Sequence, residues 1–173
     1  MTQKPATQNM LREIFELSQE LVGKASTKDV TIGTAESCTG GLIGAAITAS
    51  AGSSAIFKGG IIAYDNQIKT GILGVDPKAI ETYGAVSEIT ACQMAKGALE
   101  KLGTDLAVSV TGVAGPSGGT PSKPVGTVWI GLATQKQCFA THYLFSDLSR
   151  NKVRDMTCLE SLKSLLSQLD NAF

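Results

Sequence analysis

The sequence predicts an α/β fold: a single-domain layered fold, with a mixed sheet and helices packed on it. Three observations carry this. Segments with apolar residues at helical spacing alternate with short apolar runs of strand length through the whole chain. Two such runs late in the chain, 125–134 and 138–145, are separated only by Gln135-Lys136-Gln137, so they pair as neighbours, whereas the earlier strands are separated by helices. The 173 residues, 43% hydrophobic and 17% charged, are enough for one buried core, and no repeat or composition shift marks a second domain.

Taken in order, residues 1–9 are polar and include Pro5, which predicts a flexible lead-in to a domain spanning 10–173. Leu11, Ile14, Phe15, Leu21 and Val22 recur at helical spacing and predict an amphipathic helix over 9–24. A strand over 30–34 runs into a Ser/Thr/Gly turn and a small-residue helix over 40–50. A second strand, 57–64, ends in the polar segment Asp65-Asn66-Gln67-Ile68-Lys69. A short helix around 77–82 precedes the connector Tyr83-Gly84-Ala85-Val86. Ser87 suits an N-cap and Glu88 a first turn, with Ala91, Ala95, Ala98, Leu99 and Leu102 forming one apolar face that stops near Gly103. The strand 106–110 enters a glycine-rich loop whose length, through Pro124, argues for function. After the two adjacent strands, Ser146-Asp147 opens a last helix with Met156, Leu159, Leu162, Leu165, Leu166 and Leu169 inward.

Composition removes several function classes. Fifteen basic residues balance fifteen acidic ones without a basic block, which argues against a nucleic-acid partner. No apolar run is long enough to span a bilayer and the N-terminus has no signal-peptide core, so a cytoplasmic protein is expected. Four scattered cysteines and a single histidine make no metal set, and no cofactor is called for. Reduced thiols are the simpler reading of Cys38, Cys92, Cys138 and Cys158, with pairing left open.

The stretch from Thr34 to Gly41 is the first candidate site. A strand, a tight turn and a helix start leave several backbone N–H groups unpaired and partially positive, suited to a phosphate or a developing oxyanion. Ser37 sits just before that start, either as a presented nucleophile or as an ordinary cap. A serine nucleophile needs a base. His142 falls within a strand and the chain has no GxSxG elbow, which argues against a Ser–His–Asp triad. Lys69 is the other route, since burial disfavours its ammonium and strand ends gather at one sheet edge; the alternative is a solvated turn lysine. Cys38 is a rival nucleophile or simply a small buried thiol. The 112–119 loop has neither P-loop nor GxGxxG spacing, yet its backbone donors can wrap a polar ligand. Arg150 and Arg154, four apart on one helix face, suit a phosphate or surface ion pairs.

Together these pieces are more specific than any alone. Thr34-Ala-Glu-Ser-Cys-Thr-Gly-Gly41, Ala51-Gly-Ser-Ser54, Tyr64-x-Asn-x-x-Lys69, Gly84-Ala-Val-Ser-Glu88, Thr111-Gly-Val-Ala-Gly-Pro116 and Lys123-Pro-Val-Gly-Thr-Val-Trp129 resemble, in the same order, the CinA C-terminal domain family over residues 10–169. That family includes stand-alone nicotinamide-nucleotide amidases. The resemblance implies hydrolysis of the carboxamide of nicotinamide mononucleotide (NMN) to nicotinate mononucleotide and ammonia, a step of pyridine nucleotide salvage. It implies Ser37 as nucleophile, Lys69 as its base, and Tyr64 and Asn66 beside them, Tyr64 orienting the proton transfer. Thr39, Gly40 and Gly41 are implied as substrate or oxyanion contacts, Thr111 and Gly112 as the nucleotide pocket, and Arg150 and Arg154 as phosphate ligands. No metal or cofactor is implied, and a homo-oligomer is. The alternative reading is a non-catalytic nucleotide-binding module of the same fold. The chain departs from the family pattern at Ser117, where Asp is frequent, and by an extra residue between Phe145 and Arg150. It lacks the additional N-terminal domain of full-length family members, so no pyrophosphatase or competence role is expected of it.

Overall fold

The structure, a computed structural model, describes residues 4–173. Helix α1 runs Lys4–Lys28. The lead-in expected over 1–9 is therefore helical from Lys4, residues 1–3 lying outside those described. Pro5 is compatible with this because a first-turn N–H has no helical acceptor to lose. Strand β1 (Ile32–Glu36) is buried throughout and reaches two residues further than expected. It leads through the turn to the short helix α2 (Leu42–Thr48). After a 3-10 turn (Ser53–Ala55) come strand β2 (Phe57–Ile62), helix α3 (Asn66–Gly71) and helix α4 (Pro77–Tyr83). Helix α5 (Glu88–Leu102) starts on the Ser87 cap, which accepts from the Thr90 N–H, and stops at left-handed Gly103, both as its sequence predicts. Strands β3 (Leu106–Gly112), β4 (Thr127–Thr134) and β5 (Cys138–Leu144) follow. The last helix, α6 (Arg150–Ala172), opens at Ser149 rather than at Ser146.

One five-stranded sheet has the order β2-β1-β3-β4-β5. β1 pairs parallel with β2 and β3, and β4 pairs antiparallel with both β3 and β5, so the sheet is mixed. Side-chain alternation divides the core in two. Leu106, Val108 and Val110 of β3 join Ile43, Ile47, Leu21, Leu162 and Leu165 under α1, α2 and α6. Ala107 faces the other way, with Ala35 and Ala133, towards Met94, Ala95 and Ala98 of α5. Small residues on this second face let α5 lie close to the sheet, where the Ser109 hydroxyl donates to the Ala91 carbonyl at 2.6 Å.

Cys92 on α5 and Cys138 on β5 form a disulfide. This corrects the simpler expectation of four reduced thiols: α5 packs over β5 and brings together two cysteines that are 46 residues apart. Cys38 and Cys158 are free and buried. No helix among the described residues is long and apolar enough to cross a membrane.

Candidate active site

The parallel strands β1, β2 and β3 end at the same sheet edge, the place where open α/β sheets bind ligands. Ser37 follows β1, the segment from Tyr64 to Lys69 follows β2, and Thr111 and Gly112 close β3. β5 also ends at this edge, so the chain enters α6 there with Arg150 in its first turn. These segments surround a cavity of about 220 Å³ whose lining includes Ser37, Cys38, Tyr64, Lys69, Thr111 and Arg150, with Asn66 and Gly112 also on its wall.

Lys69 is the least ordinary residue in it. Asp65 caps α3 by accepting from the Gln67 N–H at 2.7 Å, and that short helix turns Lys69 inward until it is only 2% exposed. Its Nζ donates to the Tyr64 carbonyl at 3.2 Å, and no carboxylate pairs with it among the described residues. Burial lowers its pKa from the ordinary lysine value, the charge of Asp65 opposing the shift only in part. The segment was expected to be a polar turn at a strand end. It is a helix, and that difference is what buries the amine.

Ser37, 8% exposed, has its N–H fixed on the Val110 carbonyl at 3.0 Å, which ties the turn to β3. Its neighbour Cys38 also lines the cavity, but burial pushes that thiol up to about 12, with the Glu36 charge acting in the same direction. The thiol therefore stays protonated at neutral pH, and the Ser37 hydroxyl lines the same cavity as Lys69. His142 lies on the edge strand β5 with its ring 5.0 Å from that of Trp129, outside the cavity lining.

The start of α2 differs from its expected role. The buried carboxylate of Glu36 accepts from the N–H groups of Gly41, Ile43 and Gly44 at 2.9, 3.0 and 2.8 Å, and from the Thr39 hydroxyl at 2.7 Å. The helix start is thus filled by a side chain of the protein itself. Thr39 and Gly41, predicted as oxyanion or substrate contacts, spend their donors on Glu36, and the Gly40 N–H goes to the Ser37 carbonyl. None of the three lines the cavity. Positive φ at Gly40 and Gly41 (62° and 97°) bends the chain so that the N–H groups of Gly41, Ile43 and Gly44 converge on the carboxylate.

The two arginines divide similarly. Arg150 lines the cavity, donating from Nη1 to the Gly115 carbonyl at 2.7 Å and from Nη2 to the Tyr64 hydroxyl at 3.1 Å. Arg154 lies one helical turn further on and donates to the Thr39 carbonyl at 2.8 Å, bracing the turn from behind instead of facing the cavity. Tyr64 is 62% exposed and presents its ring at the cavity mouth.

Sequence reasoning missed one wall. Ala85, Val86 and Ala114 contribute apolar groups to the cavity lining. Thr111 fixes this wall by donating to the Ala85 carbonyl at 2.8 Å, Ser87 and Thr90 both donate to the Gly84 carbonyl at 2.9 Å, and Lys123 donates to the Tyr83 carbonyl at 2.6 Å. Ser87 as an N-cap already placed 84–86 in a connector before a helix, but not against Ser37. The signal for Glu36 was an acid at the junction of a strand and a helix start.

The family model of the CinA C-terminal domain matches residues 14–169. The chain belongs to the CinA C-terminal domain family. Among curated relatives, a CinA-like protein of Leptospira borgpetersenii serovar Hardjo-bovis (strain L550) is 47% identical over 157 residues, covering 91% of this chain and 37% of that protein. A CinA-like protein of Salinibacter ruber is 52% identical over 126 residues, covering 72% of this chain and 31% of that one. The chain therefore spans less than two fifths of the length of these relatives. Among solved structures, the competence/damage inducible protein CihA from Agrobacterium tumefaciens superposes with a TM-score of 0.89 at 39% identity, covering 92% of this chain and 96% of that one. The competence damage-inducible protein A (ComA) from Klebsiella pneumoniae subsp. pneumoniae MGH 78578 also gives 0.89, at 30% identity, over 92% and 99% of the two chains.

Proposed function

We propose that this domain is an amidase that hydrolyses the carboxamide of NMN to nicotinate mononucleotide and ammonia. The observation that carries the reading is a buried, unpaired lysine of lowered pKa in the same cavity as a serine held on a fixed turn. Neutral Lys69 takes the Ser37 proton as the Oγ attacks the carboxamide carbon. The tetrahedral adduct collapses with cleavage of the C–N bond, and the Lys69 ammonium hands its proton to the departing nitrogen, which leaves as ammonia. A water then attacks the acyl-serine ester, Lys69 accepting its proton and returning one to Ser37 as the ester C–O bond breaks.

Substrate features match the walls. The apolar side of Ala85, Val86 and Ala114 suits a flat aromatic ring, and Thr111 and Gly112 sit beside it. Arg150 uses its guanidinium on Gly115 and Tyr64 and retains donors for a phosphate. Because Arg150 donates to the Tyr64 oxygen, the phenolic proton remains available to a substrate oxygen. The phosphate role assigned to the arginine pair is proposed for Arg150 alone.

The test is incubation of the purified protein with NMN, following ammonia and nicotinate mononucleotide together. Turnover is expected, with a loss of at least about 10³-fold in Ser37→Ala at unchanged folding. Binding of NMN without ammonia release would instead make the domain a nucleotide-binding module, and full turnover by Ser37→Ala would remove the proposed nucleophile.

A further inference from the structure

Glu36 is the last residue of β1, 1% exposed, with no cationic partner among the described residues. An isolated buried carboxylate is costly unless its oxygens are saturated by donors. Here they are. Oε2 accepts from the Thr39 hydroxyl and the N–H groups of Gly41 and Ile43, while Oε1 accepts from the Gly44 N–H at 2.8 Å and the Thr34 hydroxyl at 3.2 Å. Every one of these donors is within eight residues of Glu36, and they span the segment from the end of β1 to the first turn of α2. Ser37 lies between Glu36 and Thr39. Its other anchors are the Val110 carbonyl on its own N–H, the Gly40 N–H on its carbonyl and Arg154 on the Thr39 carbonyl.

We infer that Glu36 is a positioning residue for Ser37: by gathering the donors of the turn and of the α2 start onto one carboxylate, it holds the serine hydroxyl at the cavity in a single orientation. A mere stability role would be served by any cap of α2. The five convergent donors do more, because they fix the backbone on both sides of the nucleophile. Side chains held this way act on the reacting geometry, and displacement by about 1 Å costs on the order of 10²-fold in rate. The placement also has an external route. A solvent-open groove of about 200 Å³ on the β2 side is lined by Thr34, Glu36, Gly41, Gly44, Gly60 and Ile62, so a small carboxylate can reach the donors when the native one is removed.

This inference rests on Ser37 being the nucleophile, and the experiment separates the two. Wild type, Glu36→Gln and Glu36→Ala are compared for kcat and KM on NMN, for folding by circular dichroism, and for labelling of Ser37 by a fluorophosphonate read by mass spectrometry. In Glu36→Gln the side chain keeps its shape, but its amide nitrogen meets donors instead of accepting from them. We expect kcat and labelling rate to fall about 10–100-fold with KM within about 3-fold of wild type. Glu36→Ala should fall further and regain kcat and labelling on addition of formate, while a Ser87→Ala control, which loses a cap elsewhere, gains nothing from formate. Either Glu36 variant, folded and labelled at the wild-type rate, overturns the inference, as does a loss that appears only in KM or that formate leaves unchanged in folded Glu36→Ala. A wild type labelled at Ser37 but inert towards NMN overturns the substrate and leaves the positioning role standing. A wild type neither active nor labelled removes the nucleophile and this inference together.

Discussion

Lys69 is where the residue scale matters most. Its side chain is enclosed because α3 is a helix, and a helix forms there because Asp65 caps it. With the folded pKa below the unfolded one, the unfolded chain holds the extra proton across the window between them. Stability contributed by this site therefore rises with pH through that window, and below it the buried ammonium is a net cost. On the proposed mechanism activity follows the same protonation in the same direction: the neutral amine is the base, so kcat/KM should climb with pH along a limb lying below the roughly 10.4 of a free lysine. Lys69→Met tests both consequences. It should abolish turnover while leaving Tm unchanged or raised, each kcal/mol of relief being worth about 2–4 °C in a chain of this size. A Lys69→Met protein that keeps the rising limb of the pH profile, measured by steady-state ammonia release, would show that another group titrates.

The connector before α5 is the element that forms part of the cavity's apolar lining. The carbonyls of Tyr83, Gly84 and Ala85 are each held by a side chain from elsewhere: Lys123 in the long loop, Ser87 and Thr90 on α5, and Thr111 on β3. A mobile connector would leave the Ala85–Val86 wall undefined. Thr111→Val keeps the shape and deletes the bond to Ala85, at a net cost of about 1 kcal/mol. KM for NMN should rise about 5-fold with kcat less affected, and an unchanged KM in steady-state assays would separate the connector from substrate binding. Much of this scale was legible from sequence. The cap at Ser87, the stop at Gly103 and the adjacent late strands are local signals, written in residue type and period. The helix α3 was missed because six residues are too few for a 3.6-residue period to register, although Asp65 carried the cap signal.

At the scale of the whole molecule, one helix covers most of the sheet on its second face. α5 contacts β1, β2, β3, β4 and β5, and it approaches closely because small residues line both surfaces. At Gly97 an added Cβ would run into the Leu73 carbonyl, a backbone atom that no rotamer change can move. Helix propensity alone favours Gly97→Ala by about 1 kcal/mol. The clash should win, with a net loss of roughly 1–3 kcal/mol and a Tm lower by several degrees. Thermal unfolding followed by circular dichroism decides the sign, and a stabilised variant would mean that α5 has room to withdraw from the segment after α3.

Element order apart from α3, the mixed sheet and the family were legible in the sequence itself, through periodicity, caps and motifs that act over a few residues. Which polar groups remain free to meet a substrate was decided only by the tertiary structure. Glu36 closes the α2 start that looked open, Arg154 turns to Thr39 across 115 residues, and Arg150 reaches Tyr64 across 86. A donor is available only when nothing nearer has taken it. Its rivals come from any part of the chain that the fold brings within about 3 Å, a fact no local pattern contains.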